Sequence, residues 1–164
     1  MNTGFVSIVV ASLLVAPWLS ASAQAQPAPA PLQIEASNPQ GERFRTEDVK
    51  GKVAVVFYWS TSCAVCRDKL PEMRANLKGW KDKPFALITV NVDRRKDDWL
   101  AYERAMNITQ TGAKNLAVLH QDAKVPAPTK LPVTLLVDAK GQVVARYEGR
   151  LAPEVWDSVA DLLY

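Results

Sequence analysis

Apolar residues recur along the chain in two distinct patterns, and their spacing lays out most of the elements. Residues 53–59, VAVVFYW, are continuously apolar and rich in β-branched and aromatic side chains. Such a run predicts a strand covered on both faces. Residues 85–92, FALITVNV, read the same way and predict a second buried strand. Between them Leu70, Met73, Leu77 and Trp80 fall three or four apart, which predicts a helix over residues 63–79 with one apolar face. Residues 97–106 carry a further helical pattern, and residues 107–130 carry none that is well defined. Residues 133–138 and 142–147 flank Ala139-Lys-Gly141, a hairpin signal. Pro153, at a first helical position, opens a last helix that runs to Leu163. Residues 33–36 and 42–45 flank Asn38-Pro-Gln-Gly41 and predict a small amino-terminal hairpin. This order predicts an α/β domain: a mixed sheet with helices on both faces, its first half parallel and its second half antiparallel.

The amino-terminal 23 residues hold no charged side chain, and residues 5–19 are a 15-residue apolar run ahead of Ala21-Ser-Ala23. That run is shorter than the roughly 20 residues a membrane-spanning helix needs. It predicts a signal peptide over residues 1–23, with an uncleaved membrane anchor as the alternative. Residues 24–31, QAQPAPAP, resist both helix and central strand and predict a stiff linker to a domain at 32–164. Hydrophobic content of 48% can build a core without help from a disulfide. A net charge of +3, from 20 basic and 17 acidic residues scattered along the chain, gives no basis for nucleic-acid binding.

The only two cysteines, Cys63 and Cys66, stand in FYWSTSCAVCRDKLP, between the first predicted strand and helix. Three roles compete. A bridge over so short a loop removes little entropy from the unfolded chain, which weakens a structural staple. Two thiolates can hold Cu(I), but the single histidine, His120, lies in the undefined segment, and a structural zinc site wants four ligands. No metal site is therefore expected. A redox couple fits better. A thiol at a helix amino terminus meets free N–H groups and the positive end of the macrodipole, which lower its pKa. Cys66, one turn on and on the same face, is placed to resolve a mixed disulfide on Cys63.

Trp59, Cys63, Cys66 and Pro71 have the spacing of the thioredoxin pattern. The stretches GKVAVVFYWSTSC and LPVTLLVDAKGQVVARYEG resemble the exported TlpA-like branch of the thioredoxin superfamily. The resemblance covers residues 32–164 and implies a thioredoxin-like fold with an amino-terminal β-hairpin. It also implies a strand–helix insertion between Cys66 and Pro132, for which residues 85–106 are suitable. It implies that Cys63 and Cys66 are catalytic, that Pro132 is cis, and that Trp59, Leu131 and Pro132 contact substrate, with Pro71 structural near the site. The implied protein is a monomeric periplasmic thiol–disulfide oxidoreductase without a cofactor. It would reduce protein substrates such as apocytochromes, as in cytochrome c biogenesis, or metal-site cysteines, and be re-reduced by a membrane-embedded thiol–disulfide reductant. A thioredoxin-fold Cu(I) delivery module is the alternative, although copper-chaperone relatives use a wider C-x-x-x-C. The peroxiredoxin pattern needs a Pro that residues 59–62 lack.

Several positions depart from the pattern. Phe57 stands where thioredoxins often carry a buried Asp, and Lys69 where TlpA-like proteins often carry Glu. Ala64-Val65 separates the cysteines, and Ser62 replaces an aromatic. No carboxylate is visible close to the pair. Residues 93–98, DRRKDD, read as a solvated loop or helix start. Trp80, Trp99 and Trp156 read as core. The sequon Asn107-Ile-Thr109 would stay unmodified in a bacterial periplasm.

Overall fold

The computed structural model describes residues 29–106 and 115–164. The predicted signal peptide and the sequon lie outside the described residues. The strands are β1 (Ala30–Pro31), β2 (Ala36–Ser37), β3 (Val53–Trp59), β4 (Phe85–Asn91), β5 (Leu116–Gln121), β6 (Val133–Val137) and β7 (Gln142–Glu148). The α-helices are α1 (Ala64–Gly79), α2 (Lys96–Met106) and α3 (Val155–Leu163), with a short 3-10 helix at Thr46–Val49. The strands form one mixed sheet in the order β1-β7-β6-β3-β4-β5-β2.

The two continuous apolar runs become β3 and β4, paired in parallel from Val53 opposite Phe85 to Trp59 opposite Asn91. Their period of two divides the core. Val53, Val55, Phe57, Trp59, Phe85 and Leu87 face one cluster with Leu70, Met73 and Leu77 of α1, Trp99 of α2, and Val155 and Val159 of α3. Ala54, Val56, Ala86, Ile88 and Val90 face a second, which Ile34, Phe44 and Val49 help to cover. The helical cover is thus unequal: all three α-helices supply buried side chains to the first face, and the second takes the 3-10 helix and the amino-terminal segment.

Three differences from the sequence expectation have physical reasons. β5 lies where no element was predicted. Only Leu119 and Gln121 of its six residues are buried, so its alternation is faint. Around Asn38 the turn forms, with Asn38 Oδ1 accepting from the N–H groups of Gln40 and Glu42. The predicted hairpin is nonetheless reduced to one bridge, Ser37 with Arg43, because β2 pairs instead with Gln121 and His120 of β5. Ala30–Pro31, the end of the predicted linker, pairs with Gln142 and Val143 at the sheet edge, where a strand can accept Pro. Phe85–Asn91, suitable as insertion material by sequence, lies between β3 and β5, both parallel to it.

Candidate active site

β3 ends at Trp59, and a four-residue loop carries the chain into α1, whose N-cap residue is Cys63. Cys63 and Cys66 are disulfide-bonded, with Cα atoms 5.2 Å apart. Their exposures differ: Cys63 is half-buried, whereas Cys66 is fully enclosed in the core cluster. Cys63 Sγ accepts a hydrogen bond of 3.2 Å from the N–H of Cys66. The first turn of α1 contains no acidic residue to oppose a negative sulfur. A thiolate on Cys63 would therefore meet the positive end of the helix dipole and a directed N–H donor.

The Leu131–Pro132 peptide bond is cis. Antiparallel pairing of Tyr58 with Val133 brings Pro132 alongside Trp59 at the carboxyl end of β3. Pro132 is buried, while half-buried Leu131 and Cys63 both pack against the cluster that holds Cys66. Trp59 is wholly enclosed and packs against Tyr102 of α2 with its ring tilted by 59°, centroids 4.9 Å apart. Its ring therefore forms a wall behind the cysteines and offers no exposed surface. Pro71 lies inside α1 on its solvent side, where its missing N–H leaves the carbonyl of Arg67 without a helical donor. Val65, between the cysteines, is among the few exposed large apolar side chains.

The positions that depart from the thioredoxin pattern acquire partners. Phe57 is fully buried in the same cluster as Cys66. Lys69, one turn beyond Cys66, is buried too, and its Nζ meets Glu72 Oε2 at 2.7 Å. Glu72 Oε1 accepts from Trp156 Nε1 of α3 at 2.6 Å. Desolvation works against the Glu72 carboxylate, but the bonds from Lys69 and Trp156 and the charges of Lys69 and Arg150 outweigh it and hold its pKa below the ordinary value.

A carboxylate missed in the sequence also stands beside the active-site loop. Asp93, read there as part of a solvated charge run, accepts from Ser60 Oγ at 2.5 Å, from the N–H of Thr61 at 3.0 Å and from Asn91 Nδ2 at 3.1 Å. The Asp93 carbonyl is 2.9 Å from Nε2 of His120. A fully buried Asn at the end of a mostly apolar strand was the available signal, since a buried amide needs polar partners. Parallel β3 and β4 both end here, so the residues that follow them share one edge of the sheet. Among the described residues, no group of three or more His, Cys, Asp or Glu side chains is placed to hold a metal ion.

A match to the AhpC/TSA family spans residues 25–156. The chain belongs to the AhpC/TSA family. It is similar to the thiol-disulfide oxidoreductase ResA of Bacillus subtilis (strain 168), at 27% identity over 126 residues, covering 75% of this chain and 68% of that protein. It is similar also to the thioredoxin-like protein YneN of that organism, at 25% over 125 residues, or 74% of this chain and 71% of the other. Among solved structures, a thiol-disulfide isomerase from Corynebacterium glutamicum superposes with a TM-score of 0.67 at 16% identity, over 82% of this chain and 96% of the other. A thiol:disulfide interchange protein from Chlorobium tepidum TLS gives 0.64 at 22%, over 86% and 99%. These structural likenesses establish the thioredoxin-like fold. With its cysteine pair and its relatives, this AhpC/TSA member is a thiol–disulfide oxidoreductase, as the TlpA-like resemblance implied.

Proposed function

We propose that the protein reduces disulfides of protein substrates outside the cytoplasm, with Cys63 attacking and Cys66 resolving. The observation that carries this reading is the unequal exposure of the pair, one sulfur reachable at a helix amino terminus and the other enclosed. The Cys63 thiolate attacks one sulfur of a substrate disulfide; a Cys63–substrate bond forms and the second substrate sulfur leaves as thiolate. Cys66 loses its proton and attacks Cys63, forming the Cys63–Cys66 disulfide and releasing the first substrate sulfur. Two electrons pass to the substrate. A membrane-embedded dithiol partner would return them to the Cys63–Cys66 bridge. Leu131 and Pro132, beside the pair, are the proposed backbone contact for an extended substrate segment, and Trp59 supports them from behind. Apocytochromes and metal-site cysteines are the substrates this reading favours. It includes a signal peptide over residues 1–23 and a periplasmic site of action. For Cu(I) delivery the described residues add no third ligand to the two sulfurs.

The test is to express Cys66→Ser with its native leader and separate extracts without reductant. Disulfide-linked adducts on Cys63, absent from Cys63→Ser, are expected in the periplasmic fraction. Lack of any adduct would remove the reading. Direction is tested by the reduction potential of the pair: a value near about −270 mV supports a reductant, and one near about −120 mV an oxidant.

A further inference from the structure

Among the described residues, the Asp93 carboxylate is bound only by donors that carry no charge of their own: the Ser60 hydroxyl, the Thr61 amide and the Asn91 side-chain amide. Ser60 Oγ also lies 2.8 Å from Ser62 Oγ and accepts from the N–H of Ser62 at 3.2 Å. A hydroxyl has one proton to give. Ser60 spends its proton on the carboxylate, so the Ser60–Ser62 contact can be made only if Ser62 is the donor. The hydroxyl protons therefore run one way, from Ser62 to Ser60 to Asp93. Ser62 is exposed and immediately precedes Cys63, and with its proton turned inward it presents only lone pairs outward.

We propose that Asp93 is a positioning residue for the attacking thiol, fixing the loop and keeping the Ser62 hydroxyl proton away from Cys63. The same carboxylate that bonds the loop also adds negative potential beside it. Both effects withhold stabilisation from a Cys63 thiolate and oppose the helix amino terminus, which supplies it. The other titratable groups bonded into this loop are Arg67 of α1, through Nη1 to the Thr61 carbonyl, and His120 of β5, through Nε2 to the Asp93 carbonyl. Neither bonds to the carboxylate. Its influence on the loop is thus not cancelled by a paired cation. A higher pKa of the Cys63 thiol destabilises the reduced form relative to the disulfide and so gives a more reducing pair, since oxidising potentials accompany stabilised thiolates. This inference rests on Cys63 being the attacking cysteine.

Asp93→Asn tests it with nearly unchanged shape. The new amide must present N–H to one former donor, and Ser60 is the partner able to turn and accept. That reversal sends the Ser60 proton to Ser62 and frees the Ser62 proton for the sulfur. In the Cys66→Ser background, thiolate absorbance near 240 nm and iodoacetamide labelling are followed against pH. Asp93→Asn should raise the Cys63 thiolate fraction by about 3- to 10-fold at a pH below its midpoint. Adding Ser62→Ala should reverse part of that gain, while Asp93→Glu should restore the original behaviour. In the two-cysteine protein, Asp93→Asn should move the reduction potential upward. An unchanged thiolate curve and potential, with only a lower melting temperature, would reduce Asp93 to a structural anchor and overturn the proposal. A curve displaced the other way would overturn it equally. Cys63 that fails to label in either background would instead sink the assignment of the attacking thiol, an outcome distinct from both.

Discussion

The Lys69–Glu72 pair is buried unequally at its two ends, so removing either end should carry a different cost. The Lys69 side chain is 6% exposed and that of Glu72 39%. Glu72→Gln leaves an ammonium enclosed without its counter-charge. Stripping one member of a fully buried pair costs about 3–5 kcal/mol. Here the lysine stem can swing toward water and the glutamine oxygen still accepts a hydrogen bond, which lowers the expected loss to about 2 kcal/mol. Lys69→Met keeps a long unbranched side chain at this buried position and leaves a carboxylate that water and Trp156 still solvate. Its cost should stay near that of a surface pair, about 0.5 kcal/mol. For a domain of this size the first variant should melt about 6 °C lower and the second about 2 °C lower. Thermal unfolding of the oxidised protein at pH 7, followed by circular dichroism, measures both. The Glu72 pKa is depressed in the folded state. Its contribution is therefore present above the ordinary carboxylate value, and it fades as pH falls through the folded-state value because the unfolded chain takes up the proton first. The deficit of Glu72→Gln should accordingly shrink in acid. Lys69→Met proving as costly as Glu72→Gln would refute the reasoning from burial.

Other outcomes follow from the same geometry. Glu103, buried on α2, has its pKa raised by desolvation, against the opposing charge of Arg74. The folded state thus holds that proton more tightly, and stability falls as pH rises from the ordinary carboxylate value through the folded-state one. Urea titrations of Glu103→Gln should show an advantage over the natural chain that grows between pH 4 and pH 8; an advantage largest in acid would contradict the assignment. Phe57→Ala, at a fully buried position in the cluster with Cys66, should lose about 3–5 kcal/mol in the same titrations. A loss below about 1 kcal/mol there would mean that the cluster collapses around the vacancy.

Much of the architecture was legible because its signals are local. The apolar runs became β3 and β4, and the three- and four-residue spacing of Leu70, Met73 and Leu77 became the buried face of α1. Cys63 and Cys66 were identified by their place at a strand–helix junction, and that junction is where they lie. What was hidden depended on pairing between distant segments. Asp93 looked solvated among the charges of residues 93–98, and only the shared end of parallel β3 and β4 brings it to Ser60 and Thr61. The partners of Lys69 were hidden as well, since Glu72 is held in turn by Trp156 from the distant α3. His120 belonged to no predicted element because β5 is a half-exposed strand next to a sheet margin, with a faint period.

β3 is paired along all seven residues by β4 and along five of them by β6, whereas β1 and β2 are two-residue pieces at the margins. In the currency of amide hydrogen exchange, this separates the molecule into slow and fast parts. Val55, Val56 and Phe57 should exchange only when the whole domain opens, while the margins exchange through local fraying. Cys63 thus stands just beyond the end of the strand expected to exchange slowest. Electrons can come and go at Cys63 and Cys66 many times within the lifetime of a single opening of the scaffold that holds them.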